Sequence, residues 1–225
     1  MDKILQRFNQ PITIIGGGEF DSEIFEYSLQ IGQELIAVDG GLNYLIPNIH
    51  FPKWIIGDLD SAENTEYWVN NGANIKYLPE QDSTDFDKCL YSIEAPLYLA
   101  NGFLGNRVDH TLASCSTLVK SKDKNIILLG KNDLIVHLNK IIVLELKVGT
   151  RISFFPLEEV SGLCCSGLKY SIAGVNFSPK SIIGTSNETT SPTVEISFNG
   201  PGMLLILPID CLPNILEFYS VTLDA

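Results

Sequence analysis

No run of lysine or arginine occurs in this 225-residue sequence, where 15 basic side chains face 27 acidic ones for a formal charge of −12. Duplex nucleic acid is bound by grouped basic side chains that neutralise phosphates, so it is not an expected partner. No segment approaches the ~20 consecutive apolar residues needed to cross a bilayer, and Met1-Asp2-Lys3-Ile4 does not open a basic-then-apolar leader. The expectation is a cytoplasmic protein with no membrane partner. Five cysteines (Cys89, Cys115, Cys164, Cys165, Cys211) include no Cys-x-x-Cys pair, and no histidine is spaced to join them around zinc. They read as small buried apolar side chains in a reducing compartment. His50 and His137 belong to no motif. What remains is ordinary for a globular protein, 45% hydrophobic and 19% charged, with length for one large domain or two small ones.

Against that background, five carboxylates fall into three short motifs of the first half. These are Gly57-Asp58-Leu59-Asp60-Ser61, Asp82-Ser83-Thr84-Asp85-Phe86 and Arg107-Val108-Asp109-His110. Hard divalent cations take oxygen ligands, and magnesium in phosphoryl chemistry is held by a few carboxylates plus the substrate's own phosphates. Asp58 and Asp60, straddling one residue after the strand-like Trp54-Ile55-Ile56, can point to one ion. An Asp-x-Asp in a loop also serves as turn chemistry, because Asp side chains bond nearby amides. Phe86, Cys89, Leu90 and Ile93 recur at helical spacing, so Asp82, Ser83 or Thr84 can cap a helix there, at an end that favours anions. Asp109 is equally placed to cap the helix carrying Leu112, Cys115 and Val119. His110, at the start of that helix, is expected to pack or to touch a phosphate. Arg107 sits in a glycine-bearing loop with Gly102 and Gly105, as a phosphate ligand or a solvated cation, and Lys88 reads as a residue on the outer face of its helix.

Apolar runs at Ile12–Ile15, Leu35–Val38, Trp54–Ile56, Ile75–Leu78, Pro96–Leu99 and Ile126–Leu129 mostly end in glycine or acid and alternate with amphipathic stretches. That alternation predicts a doubly wound, mostly parallel α/β domain over residues 1–133. Ligands bind outside the carboxyl ends of such strands, where the clusters around Gly17, Asp39, Gly40, Asp58 and Gly102 fall. The triplet Gly16–Gly18 fits neither the dinucleotide nor the Walker pattern. From Ile135 onward, short β-type runs at 135–138, 141–146, 151–155, 163–166, 181–183, 194–198 and 204–207 are separated by turn residues. They predict an antiparallel β-sandwich over residues 134–225.

The ordered set Val38-Asp39-Gly40-Gly41, Ile56-Gly57-Asp58-Leu59-Asp60-Ser61, Gln81-Asp82-Ser83-Thr84-Asp85-Phe86-Asp87-Lys88 and Gly102-Phe103-Leu104-Gly105-Asn106-Arg107-Val108-Asp109-His110 resembles the thiamine pyrophosphokinase family. Gly167-Leu168-Lys169-Tyr170 and Gly184-Thr185-Ser186-Asn187-Glu188 extend the resemblance into the second half. The resemblance implies transfer of the diphosphate of ATP to thiamine, giving thiamine diphosphate and AMP. It also implies magnesium held by Asp58, Asp60, Asp82 and Asp85, with Arg107 beside them. Nucleotide contacts are implied at Gly17, Asp39, Gly40, Lys88, Gly102, Asp109 and His110, and thiamine contacts at Ser186, Asn187 and Tyr170. A homodimer with sites between subunits is implied as well. The sequence departs from the family pattern at Asn106, Glu80 and Tyr170. A pyrophosphokinase for another hydroxymethyl heterocycle, such as a pterin, would use the same carboxylates. A non-catalytic thiamine or nucleotide sensor would be expected to have lost one of the four metal aspartates, and all four are present.

Overall fold

Strands buried on both faces need to be apolar along their whole length, and the first half supplies several of them. A computed structural model describes residues 4–221 and divides the chain into two units. One comprises residues up to Thr117 with Ile126–Lys131, and the other Leu118–Asn125 with Asn132 onward. In the first unit, β2 (Ile12–Ile15), β7 (Tyr98–Asn101) and β8 (Ile126–Leu129) are buried at every position. They pair in parallel in the order β8-β7-β2. β3 (Glu34–Val38) lies against β2 and continues through parallel pairs to β4 (Pro52–Gly57) and β5 (Asn74–Tyr77). The chain winds outward from β2 in both directions, so the crevice at the carboxyl ends of β2, β3 and β7 is the place where loops diverge and a ligand fits. A short parallel pair, β1 (Gln6–Arg7) with β6 (Ile93–Glu94), has no counterpart among the apolar runs, since two residues carry no periodicity.

Two helices of this unit start where side chains cap them. Asp21 accepts from the amides of Glu23 and Ile24 to open α1 (Ser22–Ile31). Thr84 and Asp87 form a reciprocal capping box at α3 (Asp85–Ser92), so of the three capping candidates Thr84 takes the role. Losing that cap costs about 1 kcal/mol. α2 (Thr65–Asn70) and α4 (Val108–Lys120) complete the set. A core of Ile15, Phe25, Leu35, Ala37, Leu42, Leu45, Ile55 and Trp68 joins α1, α2 and the strands beneath them. Each fully buried side chain of this size contributes roughly 1.5–3 kcal/mol.

The second unit holds two sets of four antiparallel strands. One runs β14 (Gly184–Glu188), β11 (Arg151–Pro156), β16 (Met203–Pro208), β9 (Asp133–Leu138). The other runs β10 (Ile142–Glu145), β15 (Thr193–Phe198), β12 (Val160–Ser166), β13 (Asn176–Phe177). Phe154 of the first sheet meets Phe198 of the second at 5.7 Å between ring centroids, and Phe198 meets Phe177 at 5.8 Å, as in a sandwich core. The expected strand at 181–183 is only a single bridge, Ile182 to Phe177, and the strand lies just beyond, at β14. Gly-Thr-Ser-Asn-Glu reads as a turn by composition, yet it is paired to β11 on its backbone. A closing helix, α5 (Leu212–Phe218), was not expected either. Pro213 reads as a breaker but sits in the first turn, where a missing amide costs nothing. Among the described residues no helix is long and apolar enough to cross a membrane.

Candidate active site

The carboxylates are aimed by strained backbone. β4 ends at Gly57, whose φ of +150° admits no side chain easily, and a Cβ there would lie 3.1 Å from the Asp39 Cβ and 3.2 Å from an Asp85 oxygen. Two residues on, Leu59 adopts φ +61°, and Asp39, just after β3, adopts φ +43°. Left-handed conformations of residues with a Cβ cost about 1–2 kcal/mol and persist only where the surroundings enforce them. For Leu59 the enforcement is its partly buried side chain, which packs against the hydrophobic core of this unit. The turn brings carboxylate oxygens of Asp39, Asp58 and Asp60 within 4.8 Å of one another. Ser61 ties the group together, its amide donating to Asp39 Oδ1 at 3.3 Å and its hydroxyl to Asp60 Oδ1 at 2.8 Å. Asn43 clamps the loop, donating to the Ser61 carbonyl and accepting from the Glu63 amide, both at 2.8 Å. Burial pushes the Asp39 carboxyl above its ordinary range, amides of Gly40 and Ser61 pull it back, and the charges of Asp85 and Asp60 push it up again. Three hard oxygen donors crowded so that one resists ionisation are a donor set that fits a divalent cation.

A second row of polar groups stands behind the first. Asp85 Oδ1 accepts from the Asp58 amide at 3.3 Å and from Lys88 Nζ at 2.9 Å. Lys88 is only 2% exposed, so it is not the solvated helix residue that its spacing suggested. Its position on α3, one turn after Asp85, points inward. Gln81 Nε2 donates to Asp58 Oδ2 at 2.9 Å. Asp82 is exposed and outside the group of three, while Asp39 is inside it. Glu80 accepts from the amides of Asp82 and Ser83 and from the hydroxyls of Ser83 and Tyr91. Those bonds, Ser83's first and Tyr91's next, hold the Glu80 carboxyl down at about 2.

At the carboxyl ends of β2 and β7 two glycine loops touch. Gly18 donates its amide to the Gly102 carbonyl at 2.7 Å, and at Gly102 (φ +73°) a Cβ would meet the Gly16 carbonyl oxygen at 2.2 Å. At Gly17 there is open room, since even a Cβ there would have its nearest neighbour 3.4 Å away in Gly40, so its backbone stays approachable. Beyond Gly105, Arg107 grips Asp109 in a fork, Nε to Oδ1 at 3.2 Å and a terminal nitrogen to Oδ2 at 2.7 Å, both side chains 65% exposed. Asp109 also accepts from the His110 amide, and the Arg107 guanidinium holds its carboxyl down at about 2. His110 is exposed, so the expectation that it packs does not hold; a first-turn residue on the open face of α4 has nothing to pack on. Leu112 is likewise 58% exposed, and α4 instead buries Ser114, Cys115 and Thr117.

In the second unit, Asn187 is buried and its amide is fully engaged. Oδ1 accepts from the amides of Tyr170 (3.0 Å) and Glu188 (2.9 Å), and Nδ2 donates to the Tyr170 carbonyl at 2.7 Å. The Tyr170 ring is left 62% exposed, with Lys169 Nζ 5.9 Å from its centroid. Ser186, at φ +60°, donates its backbone amide to Ser153 Oγ at 3.0 Å and has its own side chain facing solvent. Sequence reasoning missed Asn43, whose partners lie some twenty residues away with no local signal, and Leu59, whose importance is a dihedral angle.

Known proteins match both units. Residues 25–129 fit the family model described as thiamin pyrophosphokinase, catalytic domain, and residues 139–202 fit thiamin pyrophosphokinase, vitamin B1 binding domain. Thiamin pyrophosphokinase 1 of Caenorhabditis elegans is 29% identical over 178 residues, covering 71% of this chain and 72% of that protein. Thiamine pyrophosphokinase 1 of Arabidopsis thaliana is 29% identical over 63% of this chain and 60% of its own length. Among solved structures, the thiamin pyrophosphokinase from Candida albicans superposes with a TM-score of 0.76 at 19% identity, covering 89% of each chain. That from Bacillus subtilis gives 0.70 at 23% identity, over 88% of this chain and 98% of the other. At such identities the structures speak for the fold, and the two family models, which together span most of the chain, establish that it belongs to the thiamin pyrophosphokinase family and is an enzyme of that class.

Proposed function

We propose that this enzyme moves the terminal diphosphate of ATP as one unit onto the hydroxyethyl oxygen of thiamine, with magnesium, as a cytoplasmic homodimer. The observation that carries the reading is the convergence of Asp39, Asp58 and Asp60 within 4.8 Å at the crevice of the first unit. In the reaction, the thiamine oxygen bonds to the β-phosphorus as the bond to the oxygen bridging the α-phosphorus breaks. That electron pair leaves with AMP, and the hydroxyl proton is released. Magnesium, when bound, offsets the negative charge of the phosphate oxygens.

The chain's own residues hold and orient. Asp58 and Asp60 are the first candidates to hold the cation, with Asp39 completing the group and Asp82 and Asp85 at its margin. The Lys88 pair with Asp85 supports a role for Lys88 in fixing that carboxylate. The amides around Gly17 and Gly40 and the loop at Gly102 suit a polyphosphate, because no Cβ intervenes. Arg107 would exchange Asp109 for a phosphate, a geometry its planar fork favours, with Asp109 and His110 beside the nucleotide.

For thiamine, the exposed Tyr170 ring offers a stacking face and the Ser186 hydroxyl a polar contact, while Asn187 frames Tyr170. Preference for thiamine over a pterin rests on the vitamin B1 binding domain match across the second unit. Because the acidic group belongs to one unit and the ring to the other, we infer sites assembled from two subunits. One experiment tests the whole: AMP and thiamine diphosphate are quantified after mixing the protein with ATP, magnesium and thiamine. Formation of both in equal amounts is the expected result, and their absence refutes the reading. Mixing Asp58→Ala with Tyr170→Ala chains should then restore part of the activity. No rescue in proven heterodimers would place each site within one chain.

A further inference from the structure

We infer that Glu80 is a positioning residue for the metal-binding carboxylates, acting through Gln81 and Asp85 on Asp58. This rests on the proposed reading of the acidic group. Glu80 lies in the loop between β5 and α3, and its two oxygens do different things. Oε2 takes the amides of Asp82 (3.0 Å) and Ser83 (3.2 Å), closing the loop on itself. Oε1 takes the Ser83 hydroxyl (2.5 Å) and the Tyr91 hydroxyl (2.8 Å), fastening the loop to the far end of α3.

Between those anchors lie the two residues that grip Asp58 from opposite ends. Gln81 Nε2 donates to Asp58 Oδ2 at 2.9 Å, and Asp85 Oδ1 accepts from the Asp58 amide at 3.3 Å. Asp58 also receives the Asp60 amide on Oδ1, at 3.5 Å, a long contact that by itself fixes little. Its orientation therefore depends on the Gln81 bond, and Gln81 is an exposed side chain on the loop that Glu80 closes. Groups that hydrogen-bond a metal-ligating carboxylate set its rotamer and basicity, and their loss typically lowers metal affinity about 10–100-fold. Glu80 acts one bond further out. Glutamate is long enough to reach both the loop amides and Tyr91, whereas aspartate is one methylene shorter.

The test uses the full-length protein and manganese as the probe, read from the EPR signal of the free ion, beside the magnesium dependence of turnover. Glu80→Ala is expected to weaken manganese binding about tenfold and to raise the magnesium needed for half-maximal rate in parallel. Turnover at saturating magnesium should fall less. Gln81→Ala should reproduce the effect, and the double variant should be no worse than the worse single one, because both act along one path. Glu80→Asp should fall between, and Tyr91→Phe should give a smaller loss of the same kind. Circular dichroism melting shows that each variant is folded. Manganese affinity within twofold of the parent in folded Glu80→Ala and Tyr91→Phe overturns the inference while leaving the acidic site standing. Additive losses in the double variant overturn it too. Failure of the parent to bind manganese, or of Asp58→Ala to reduce that binding, refutes the acidic site itself and this inference with it.

Discussion

Replacing Asn187 by alanine separates holding a ring from touching it. The side chain is buried at 5% exposure and makes three hydrogen bonds, two accepted by Oδ1 and one donated by Nδ2. At about 1 kcal/mol net for each, with water reaching some of the freed groups beside the exposed Tyr170, Asn187→Ala should lower unfolding free energy by about 2–3 kcal/mol. Two of the three bonds end on the Tyr170 backbone, so the ring loses its fixed presentation. Re-ordering one such side chain on binding costs about 0.5–1.5 kcal/mol, which corresponds to a roughly two- to thirteenfold weaker thiamine affinity. Asn187→Asp keeps an acceptor but turns an oxygen toward the Tyr170 carbonyl, so it should be no better than alanine at neutral pH. The assays are urea denaturation followed by circular dichroism, and calorimetric titration with thiamine and with ATP. A stability change below about 0.5 kcal/mol, or an equal loss of affinity for both ligands, would refute the reasoning, since neither fits a frame built around Tyr170 alone.

Asp60→Ala should lower turnover by roughly a hundredfold or more while leaving the melting temperature nearly unchanged, because the residue is exposed; near-normal turnover with unaltered magnesium dependence would remove it from the ligand set. Lys88→Met should cost about 2 kcal/mol by denaturant titration, less than the ~3–5 of a fully buried pair because Asp85 keeps 29% of its side chain exposed. His137 accepts the Gly202 amide on Nε2 at 3.0 Å and has Nδ1 buried without a partner among the described residues; burial holds its pKa below 6.5. The unfolded chain then binds the extra proton first, so stability is full above pH ~6.5 and falls toward the folded pKa by at most about 1.4 kcal/mol per pH unit. His137→Phe should flatten that part of the profile, at a cost of about 1–3 kcal/mol at neutral pH from the stranded Gly202 amide.

The strands of the first unit were legible because burial on both faces forces continuous apolar runs, and Ile12–Ile15 and Ile126–Leu129 match residue for residue. β14 was not, because Gly184–Glu188 earns its place through backbone pairing with β11, which composition does not record. Within the acidic group, Asp58 and Asp60 could be paired by eye since one residue separates them. The approach of Asp39 depends on the β3–β4 pairing that sets two strand ends side by side. The inward turn of Lys88 was hidden for a related reason, as helical spacing places a residue on a face without saying what that face meets. The hold of the Asn187 amide on both backbone groups of Tyr170 is a relation between residues seventeen apart, and no local pattern announces it.

Leu59 leads somewhere else. Its chemistry is inert, yet its left-handed backbone and its packing against the core cluster that includes Leu42 make it the hinge pin between a greasy interior and a charged rim. A glycine in its place would relax the dihedral angle and at the same time release the anchor, so two effects of opposite sign would meet at one residue. Substitutions deep in that core, such as Leu42→Ala, would reach the aspartates without touching them, by letting the turn drift. Laboratory evolution for heat resistance would thus find this patch of interior closed to change, and selection for a different metal ion would find it unexpectedly productive.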